Sequence, residues 1–324
     1  MRKIIILIAI LIVIAIILTV AVGTYFVNFA VHRKDTFNMN LLPEEERNSA
    51  SSESERQRVI RENREAFASS DELFLASADK EDVSIVSSDG LSLKASFYRN
   101  EGSRYVILVH GYMSSRKDML HLAGVYSSWG YNVLSPDNRA HGESDGTWIG
   151  MGWLDKDDIR LWIDWIIDRD PEAEIVLHGI SMGAATVMMV SGLDLPDNVK
   201  AAVEDCGYTS VWDIFADELK ALFHLPPFPV MNMYSVMSRI ITGYTPKEAS
   251  SLDMLSESEI PMLFIHGDDD HFVGTYMLDI CFDAKRNGDK EKLLVPDAGH
   301  GEAYLREPEL YFNTVHEFIS RYVE

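Results

Sequence analysis

The sequence predicts a doubly wound α/β fold, with a mostly parallel sheet, an inserted helical cap and one transmembrane helix ahead of the domain. From residue 82 onward, short runs of β-branched and aliphatic residues alternate with helical segments, which is typical of a parallel sheet covered on both faces. Residues 207–258 interrupt this alternation with a segment far longer than an ordinary connection. Residues 4–22 are apolar apart from Thr19.

The apolar N-terminal run is long enough to cross a bilayer. It continues with few polar residues to Val31, beyond the roughly 20 residues that a transmembrane helix needs. A cleaved signal peptide is the alternative, because Arg2 and Lys3 precede the run and Ala21-Val22-Gly23 has cleavage-like spacing. The charges that flank the run are balanced, but the short tail before it favours a single-pass protein of the cell membrane with an extracytoplasmic domain.

A polar segment separates the apolar run from the domain. It extends to about residue 80 and is rich in Ser, Glu, Arg and Asn, a composition that buries little apolar surface. Within it, residues 53–75 contain helix formers with sparse apolar positions, which predicts one helix docked on the domain. The predicted organisation is a tail at 1–3, a transmembrane helix at 4–27, a stalk at 28–80 and a globular domain at 81–324.

Charge and cysteine content exclude several classes of partner and site. The formal net charge of −22 makes nucleic acid a poor partner, because most of the surface would repel a polyanion. The two cysteines, Cys206 and Cys281, have no CxxC spacing and predict neither a disulfide framework nor a zinc site. No metal or organic cofactor is implied. The expected partners are a small-molecule substrate and, through the apolar helix, the membrane.

The elements of the domain follow from its alternating pattern. Asp89-Gly90 is a hairpin turn signal between two strand-like runs, at 83–86 and 91–98. Buried strands are predicted at 105–109, 131–134, 174–177, 199–203, 262–265 and 292–295. Helices are predicted at 117–129, 154–168, 182–192, 276–286 and 308–322. Residues 207–258 contain periodic apolar segments of their own and are predicted to form the cap.

The strongest chemical motif is Gly179-Ile180-Ser181-Met182-Gly183, between a predicted strand and a predicted helix. A Gly-x-Ser-x-Gly sequence in this context forms a sharp turn that exposes a nucleophilic serine at the top of the sheet. Glycines are needed on both sides because larger side chains would block the turn. We therefore predict Ser181 as the nucleophile.

A serine hydroxyl needs a base within hydrogen-bond reach, and His300 is the best candidate. It lies in Ala298-Gly299-His300-Gly301, after the last strand, in a loop at the carboxyl edge of the sheet where catalytic groups collect. Four other histidines adjoin glycines at predicted strand ends, and each has a structural explanation in strand packing or backbone hydrogen bonds. These are His110, His141, His178 and His266, of which His141 is the most serious rival.

The base also needs a carboxylate to hold one tautomer, and an acidic triplet follows the strand at 262–265. We choose Asp270 because it lies furthest beyond the strand end, where the loop can turn toward His300. Asp268 is the runner-up and Asp205 a more distant alternative. The backbone N–H groups of Tyr112 and Met182 are the natural pair of oxyanion donors.

Five segments in order resemble the α/β-hydrolase superfamily over residues 82–324, and within it the bacterial membrane-anchored hydrolases of the serine-aminopeptidase-like and carboxylesterase type. They are Leu108-Val109-His110-Gly111-Tyr112, Asp137-Asn138-Arg139-Ala140-His141-Gly142-Glu143-Ser144, Gly179 to Gly183, His266 to Val273 and Ala298-Gly299-His300. The resemblance implies that the Asp137 segment is scaffold, which demotes His141, and that the acid is at Asp270. Ala140 replaces a usual Gly, and Gly274 a common Pro.

These features predict a serine hydrolase that cleaves a carboxylic ester, such as a lipid or other acyl ester, through an acyl-Ser181 intermediate. If the apolar cap side chains face Ser181, they would accept an apolar acyl group. A serine peptidase or amidase is the first alternative, with Asp213, Asp217 or Glu218 binding a substrate amine. A non-catalytic membrane-anchored binding protein with the same fold is the second.

Overall fold

The computed structural model describes residues 2–33 and 54–323, and its core is an eight-stranded sheet. The strand order is β1-β2-β4-β3-β5-β6-β7-β8. β2 pairs antiparallel with β1 and β4, and all later pairs are parallel. The strands are β1 Asp79–Val86, β2 Ser92–Arg99, β3 Arg104–Val109, β4 Asn132–Pro136, β5 Glu174–Ile180, β6 Val199–Asp205, β7 Met262–Gly267 and β8 Lys290–Val295. The predicted fold class is confirmed.

Helices cover both faces of the sheet, so each central strand is buried on both sides. Along β3, Ile107 belongs to one buried apolar cluster while Val106 and Leu108 belong to the other, as the two-residue period of a strand requires. The helices are α1 Arg2–Val31, α2 Glu55–Ser77, α3 Leu120–Ser128, α4 Asp155–Ile167, α5 Met182–Ser191, α6 Val211–Phe223, α7 Pro227–Thr242, α8 Ser251–Glu257, α9 Tyr276–Ala284, α10 Ala303–Arg306 and α11 Pro308–Ile319.

The long insertion between β6 and β7 contains three helices, of which two form the cap. The amphipathic helix α6 packs against α7, and α7 packs against α1. The third, α8, packs against α5 and α9 and therefore belongs to the helical layer on the sheet. The predicted cap at 207–258 thus differs from the structure at its C-terminal end, because apolar periodicity alone does not reveal which surface a helix covers.

The apolar N-terminal run forms one helix, α1, that is long and apolar enough to cross a membrane. Its first part is exposed on all sides, whereas Gly23, Val27 and Val31 are buried against the domain. The guanidinium of Arg33 then donates to the carbonyls of Gly142 and Ser144, both at 2.7 Å. The predicted boundary at residue 27 therefore differs from the structure, in which residues 28–33 are part of the packed domain.

The C-terminal part of the predicted stalk is also packed on the domain. Helix α2 begins with a capping box between Ser54 and Gln57 and contacts α3 and α10. Asn63 donates a hydrogen bond to the carbonyl of Leu305 at 2.8 Å. The sequence predicted a docked helix here, and β1 then begins at Asp79. The remaining polar stretch of the predicted stalk, 34–53, lies outside the described residues.

Candidate active site

Ser181 occupies a sharp turn between β5 and α5. Its backbone has φ 59° and ψ −118°, a conformation that side-chain-bearing residues rarely adopt. Its N–H donates to the carbonyl of Asp205 on the neighbouring strand at 2.8 Å, which helps to hold this turn. The strain is thus imposed by a strand and a helix on either side, and the side chain is held at the carboxyl edge of the sheet.

The two flanking glycines allow this turn because neighbouring backbone leaves no room for a Cβ atom. A Cβ at Gly179 would overlap the carbonyl of Gly183, and one at Gly183 would overlap the carbonyl of Val109 on β3. Backbone atoms of a central strand cannot move aside cheaply. The local sequence therefore follows from the close approach of β3, β5 and α5.

Replacement of Gly183 by alanine should destabilise the fold by about 3 kcal/mol or more, since the new methyl group collides with buried backbone. The check is thermal unfolding of the full chain in detergent. Gly124→Ala is the matched control, because Gly124 lies within helix α3 and an added Cβ would make ordinary contact with Phe74 at 3.5 Å. We expect that control to stay within about 1 kcal/mol of the wild type. Equal effects of the two substitutions would contradict the argument.

Three loops bring Ser181, His300 and Asp270 together at one edge of the sheet. His300 Nε2 lies 2.8 Å from Ser181 Oγ, and His300 Nδ1 lies 2.8 Å from Asp270 Oδ2. The Asp270 side chain is fully buried, while that of His300 is 23% exposed. This is the arrangement in which a neutral imidazole accepts the serine proton on one nitrogen and donates to a carboxylate from the other.

Asp270 is held as a carboxylate by four donors. Its Oδ1 accepts from the N–H groups of Phe272 and Val273 at 3.0 and 2.9 Å, and its Oδ2 also lies 3.2 Å from His266 Nε2. Burial alone would raise the pKa of Asp270, but the contacts with His266 and His300 outweigh burial and lower it below its usual range. Asp270 is therefore ionised at neutral pH and can orient His300.

The predicted oxyanion donors, Tyr112 and Met182, belong to backbone segments that pass close to Ser181. Met182 is the first residue of α5, so its N–H points out of the helix N-terminus. The backbone of Gly111 passes close enough that a Cβ there would lie 3.3 Å from Ser181 Cβ. Two residues after Gly111, the N–H of Met113 donates to His141 Nε2 at 3.2 Å. Tyr112 and Met182 remain the donors that we predict.

An apolar cavity of about 220 Å³ opens above Ser181. Leu222, Phe223, Val230 and Met231 of the cap contribute to its wall. Phe26, Phe29 and Ala30 of α1 also line it, as does Glu218. The site therefore combines a hydrogen-bonded Ser–His–Asp set with a largely apolar chamber.

Comparison with known sequences places these features in a family context. A family model described as Serine aminopeptidase, S33, matches residues 101–258. The chain is 27% identical over 215 residues to the uncharacterized protein YqkD of Bacillus subtilis, covering 66% of this chain and 70% of that protein. It is 27% identical over 235 residues to human protein ABHD12B, covering 68% and 62% of the two chains.

Solved structures share the fold. The esterase Pf2001 of Pyrococcus furiosus superposes with a TM-score of 0.65 at 25% identity, over 76% of this chain and 93% of its own. The chain has the α/β-hydrolase fold. Hydrolysis is the activity that these similarities support. The acylaminoacyl peptidase of Pyrococcus horikoshii superposes with a TM-score of 0.59 at 16% identity, over 77% of this chain and 43% of its own, and shows the shared fold alone.

Three of the rival histidines have structural partners. His178 lies between the hydroxyls of Tyr126 and Tyr311, at 2.9 and 3.0 Å, and burial lowers its pKa to about 3. His110 Nε2 accepts from the N–H of Asn138 at 3.0 Å, and burial likewise lowers its pKa to about 3. His141, the strongest rival, accepts from the loop that carries Tyr112. It therefore supports that loop.

The rival carboxylates are also engaged elsewhere. Asp268 is exposed and accepts from the N–H of Asp297 at 2.6 Å. Asp205 accepts from Tyr311 Oη at 3.0 Å, and burial raises its pKa to about 6. Its neighbour Glu204 is buried as well, which raises its pKa to about 8. Of the carboxylates weighed, Asp270 is the one bonded to His300.

Ala140 is one departure from the usual superfamily pattern, which has glycine at this position. Its φ of 60° lies in the left-handed region, where glycine is favoured because it has no Cβ. Its N–H donates to the carbonyl of Asp145 at 2.9 Å, which closes the loop despite the strain. The alanine is therefore accommodated at a position where the backbone conformation favours glycine.

Among the described residues, one group has the composition of a metal site. Cys206, Asp270 and His300 offer ligand atoms within 4.8 Å of one another. Asp270 and His300 already share a hydrogen bond, and burial raises the pKa of Cys206 well above its usual value, so its thiol is protonated. These groups fit a proton-transfer site better than a metal site, because a thiol ligand must be deprotonated.

Arg56 joins the two loops of the candidate site, and no sequence motif predicted this role. Its guanidinium pairs with Asp269, the neighbour of Asp270, and donates to Glu302 Oε2 at 2.6 Å. Glu302 Oε2 in turn accepts from the N–H of Gly299, next to His300, at 3.0 Å. A charged helix more than 200 positions from its partners has no local signal that predicts this contact.

Replacement of Arg56 by alanine should lower kcat by about tenfold to a hundredfold with little change in KM, because the acid and base loops lose their shared partner. Steady-state kinetics of the full chain would measure this. Arg58→Ala is the matched control, since Arg58 lies on the same helix and pairs with Glu55 and Glu62 at the surface. Similar losses in both variants would show that α2 acts only through general stability.

Proposed function

We propose that this α/β-hydrolase cleaves a carboxylic ester through an acyl-Ser181 intermediate, with His300 as general base and Asp270 as the group that orients it. The observation that carries the proposal is the pair of 2.8 Å hydrogen bonds that join the three side chains beneath an apolar cavity. A carboxylic ester with an apolar acyl group fits this cavity, because transfer of the acyl chain from water to an apolar wall is favourable in free energy.

The proposed reaction has four proton transfers at His300, two in acylation and two in deacylation. Ser181 Oγ attacks the ester carbonyl while its proton moves to His300 Nε2, and the oxyanion is stabilised by the N–H groups of Tyr112 and Met182. The tetrahedral intermediate expels the alcohol, which takes the proton from His300. Water then attacks the acyl-enzyme, giving its proton to His300, and the carboxylic acid leaves as that proton returns to Ser181.

A peptidase is the alternative that one further observation favours. Of the three cap carboxylates considered, Glu218 is the one that lines the cavity. Asp213 instead accepts from the hydroxyls of Thr209 and Ser210, at 2.8 and 2.7 Å. Asp217 accepts from Tyr276 Oη at 2.6 Å. Because the cavity wall is mostly apolar and contains a single one of these carboxylates, it favours an ester substrate over a substrate with a free amine.

The test uses the full chain in detergent. A fluorophosphonate probe should label it, and mass spectrometry should locate the adduct on Ser181. Turnover of p-nitrophenyl esters is then compared with turnover of aminoacyl p-nitroanilides. Ester turnover supports the proposal, whereas preferential anilide turnover moves the assignment to peptidase. Absence of both labelling and turnover would make the binding-protein hypothesis the leading one.

We also propose that α1 anchors the protein as a single membrane span, with the domain extracytoplasmic. Burial of Gly23, Val27 and Val31 supports retention of the helix, because cleavage near Gly23 would expose part of the apolar core. The intact mass of the membrane-bound protein distinguishes an anchor from a cleaved signal. Labelling of Asp194→Cys in whole cells with an impermeant maleimide tests the orientation, since Cys206 and Cys281 are buried.

A further inference from the structure

We propose that the substrate is a lipid ester of the same bilayer that holds α1, and that the C-terminal part of α1 forms one wall of its acyl-binding cavity. This inference rests on the proposed ester hydrolysis and identifies the substrate class. It gives α1 a role in substrate binding in addition to anchoring. Three sets of contacts support it.

The first set divides α1 into two parts. Large apolar side chains up to Val20 are about half exposed or more, as a helix in lipid requires. From Gly23 the helix packs on the domain so closely that a Cβ at Gly23 would overlap the carbonyl of Met233 on α7. Because one helix is continuous through both parts, the cavity wall follows directly after the membrane-embedded surface.

The second set connects α1 to the cavity and to the candidate oxyanion loop. The rings of Phe26 and Phe29 each lie 5.2 Å from that of Phe223 on the cap, in edge-to-face contact. Both phenylalanines line the cavity above Ser181. Tyr112 Oη donates to the carbonyl of Ala30 at 2.7 Å. Removal of α1 would therefore open the cavity and free the side chain of a predicted oxyanion residue.

The third set describes the surface beside the cavity. Helix α7, which packs on α1, exposes Phe228, Val236 and Ile240 at 75%, 50% and 69%. Exposed apolar side chains beside a membrane span are typical of a surface that sits at the lipid interface. A shallow groove along α1, from Val20 to Phe29, shares Phe29 with the cavity wall.

A lipid ester fits this geometry because its acyl chain would pass from lipid to an apolar cavity with little exposure to water. Its polar headgroup would remain at the interface, and the ester carbonyl would reach Ser181 at the polar end of the cavity. A water-soluble ester with a short acyl chain would gain less from this wall, because it buries less apolar surface against it. The cap and α1 together thus select long acyl chains.

The test reconstitutes the full chain in phosphatidylcholine vesicles that contain a long-chain monoacylglycerol. Hydrolysis is measured with enzyme and substrate in the same vesicles, and again with each in separate vesicles. We expect at least about tenfold faster hydrolysis in the shared vesicles, because delivery through the bilayer avoids desorption of an apolar chain. Equal rates in the two arrangements would overturn the bilayer route, and this measurement needs no variant.

Phe29→Ala tests the wall. Its kcat/KM for a long-chain ester should fall about tenfold relative to wild type, since a buried aromatic contact with the acyl chain is lost. Its kcat/KM for p-nitrophenyl butyrate should stay within about twofold, because a short chain gains less from the apolar wall. Leu18→Ala is the matched control, an apolar residue of the same helix that is 48% exposed and outside the linings of both the cavity and the groove.

The outcomes separate this inference from the proposed function. Probe labelling and butyrate hydrolysis, with no preference for long chains and no difference between Phe29→Ala and Leu18→Ala, would overturn the inference and leave ester hydrolysis standing. Absence of labelling and of all ester turnover would overturn both. Loss of long-chain turnover in Phe29→Ala alone, with labelling retained, is the result that supports the membrane-helix wall.

Discussion

Ser181→Ala is expected to lower kcat for an ester by roughly 10⁴- to 10⁶-fold, because the hydroxyl that would form the acyl-enzyme is lost and His300 has no nucleophile to activate. The change removes one atom from a side chain that is 8% exposed, so the fold should be retained. Steady-state kinetics of the full chain in detergent, together with loss of fluorophosphonate labelling, would measure the effect.

Ser191→Ala is the matched control for this substitution. Ser191 is buried at the other end of the same helix, α5, and donates only to the carbonyl of Met188 at 2.8 Å. It should retain wild-type kcat and labelling. If Ser181→Ala kept more than about a hundredth of the wild-type kcat, attack by Ser181 would not be the catalytic route.

Asp270→Asn is expected to lower kcat by about 10³- to 10⁴-fold with the fold intact. The amide oxygen can still accept from the N–H groups of Phe272 and Val273, so its NH₂ would face His300 Nδ1. His300 would then carry its proton on Nε2 and be unable to accept the proton of Ser181. kcat measured across the neutral pH range would check this.

Asp268→Asn provides the comparison, because it makes the same chemical change two residues away in an exposed side chain. It should leave kcat within about threefold of the wild type, since a surface substitution outside the site has little effect. A large loss of kcat in Asp268→Asn, with little loss of kcat in Asp270→Asn, would assign the role of orienting acid to Asp268.

The local parts of the candidate site could be predicted because their signals lie in a few consecutive residues. The Gly179 to Gly183 segment specifies a turn that no bulkier sequence can adopt, and the structure places Ser181 in that turn. His300 and Asp270 could be predicted because loops after parallel strands meet at one edge of a sheet. The structure brings all three within hydrogen-bond distance, while their catalytic roles remain predictions.

Contacts between distant segments had no comparable signal. Arg56 and Glu302 are 246 positions apart, and Tyr112 and Ala30 are 82 apart. Nothing in the alternating charges of α2 indicates which acidic loop its arginine reaches. The apolar run before residue 32 likewise predicts a span, but its composition does not reveal that its last turns are packed on a cap.

By itself, the sequence determined the alternation of strands and helices, the sharp turn that carries Ser181, and a helix apolar enough for a membrane. These depend on periodicity, on local steric limits and on length, which a linear chain carries within short windows. Only the tertiary structure decided that α1 lines the cavity over Ser181 and that Arg56 joins the two loops beside it. Such contacts depend on how whole elements pack, because the free energy of burial does not depend on how far apart the contacting residues are in the sequence.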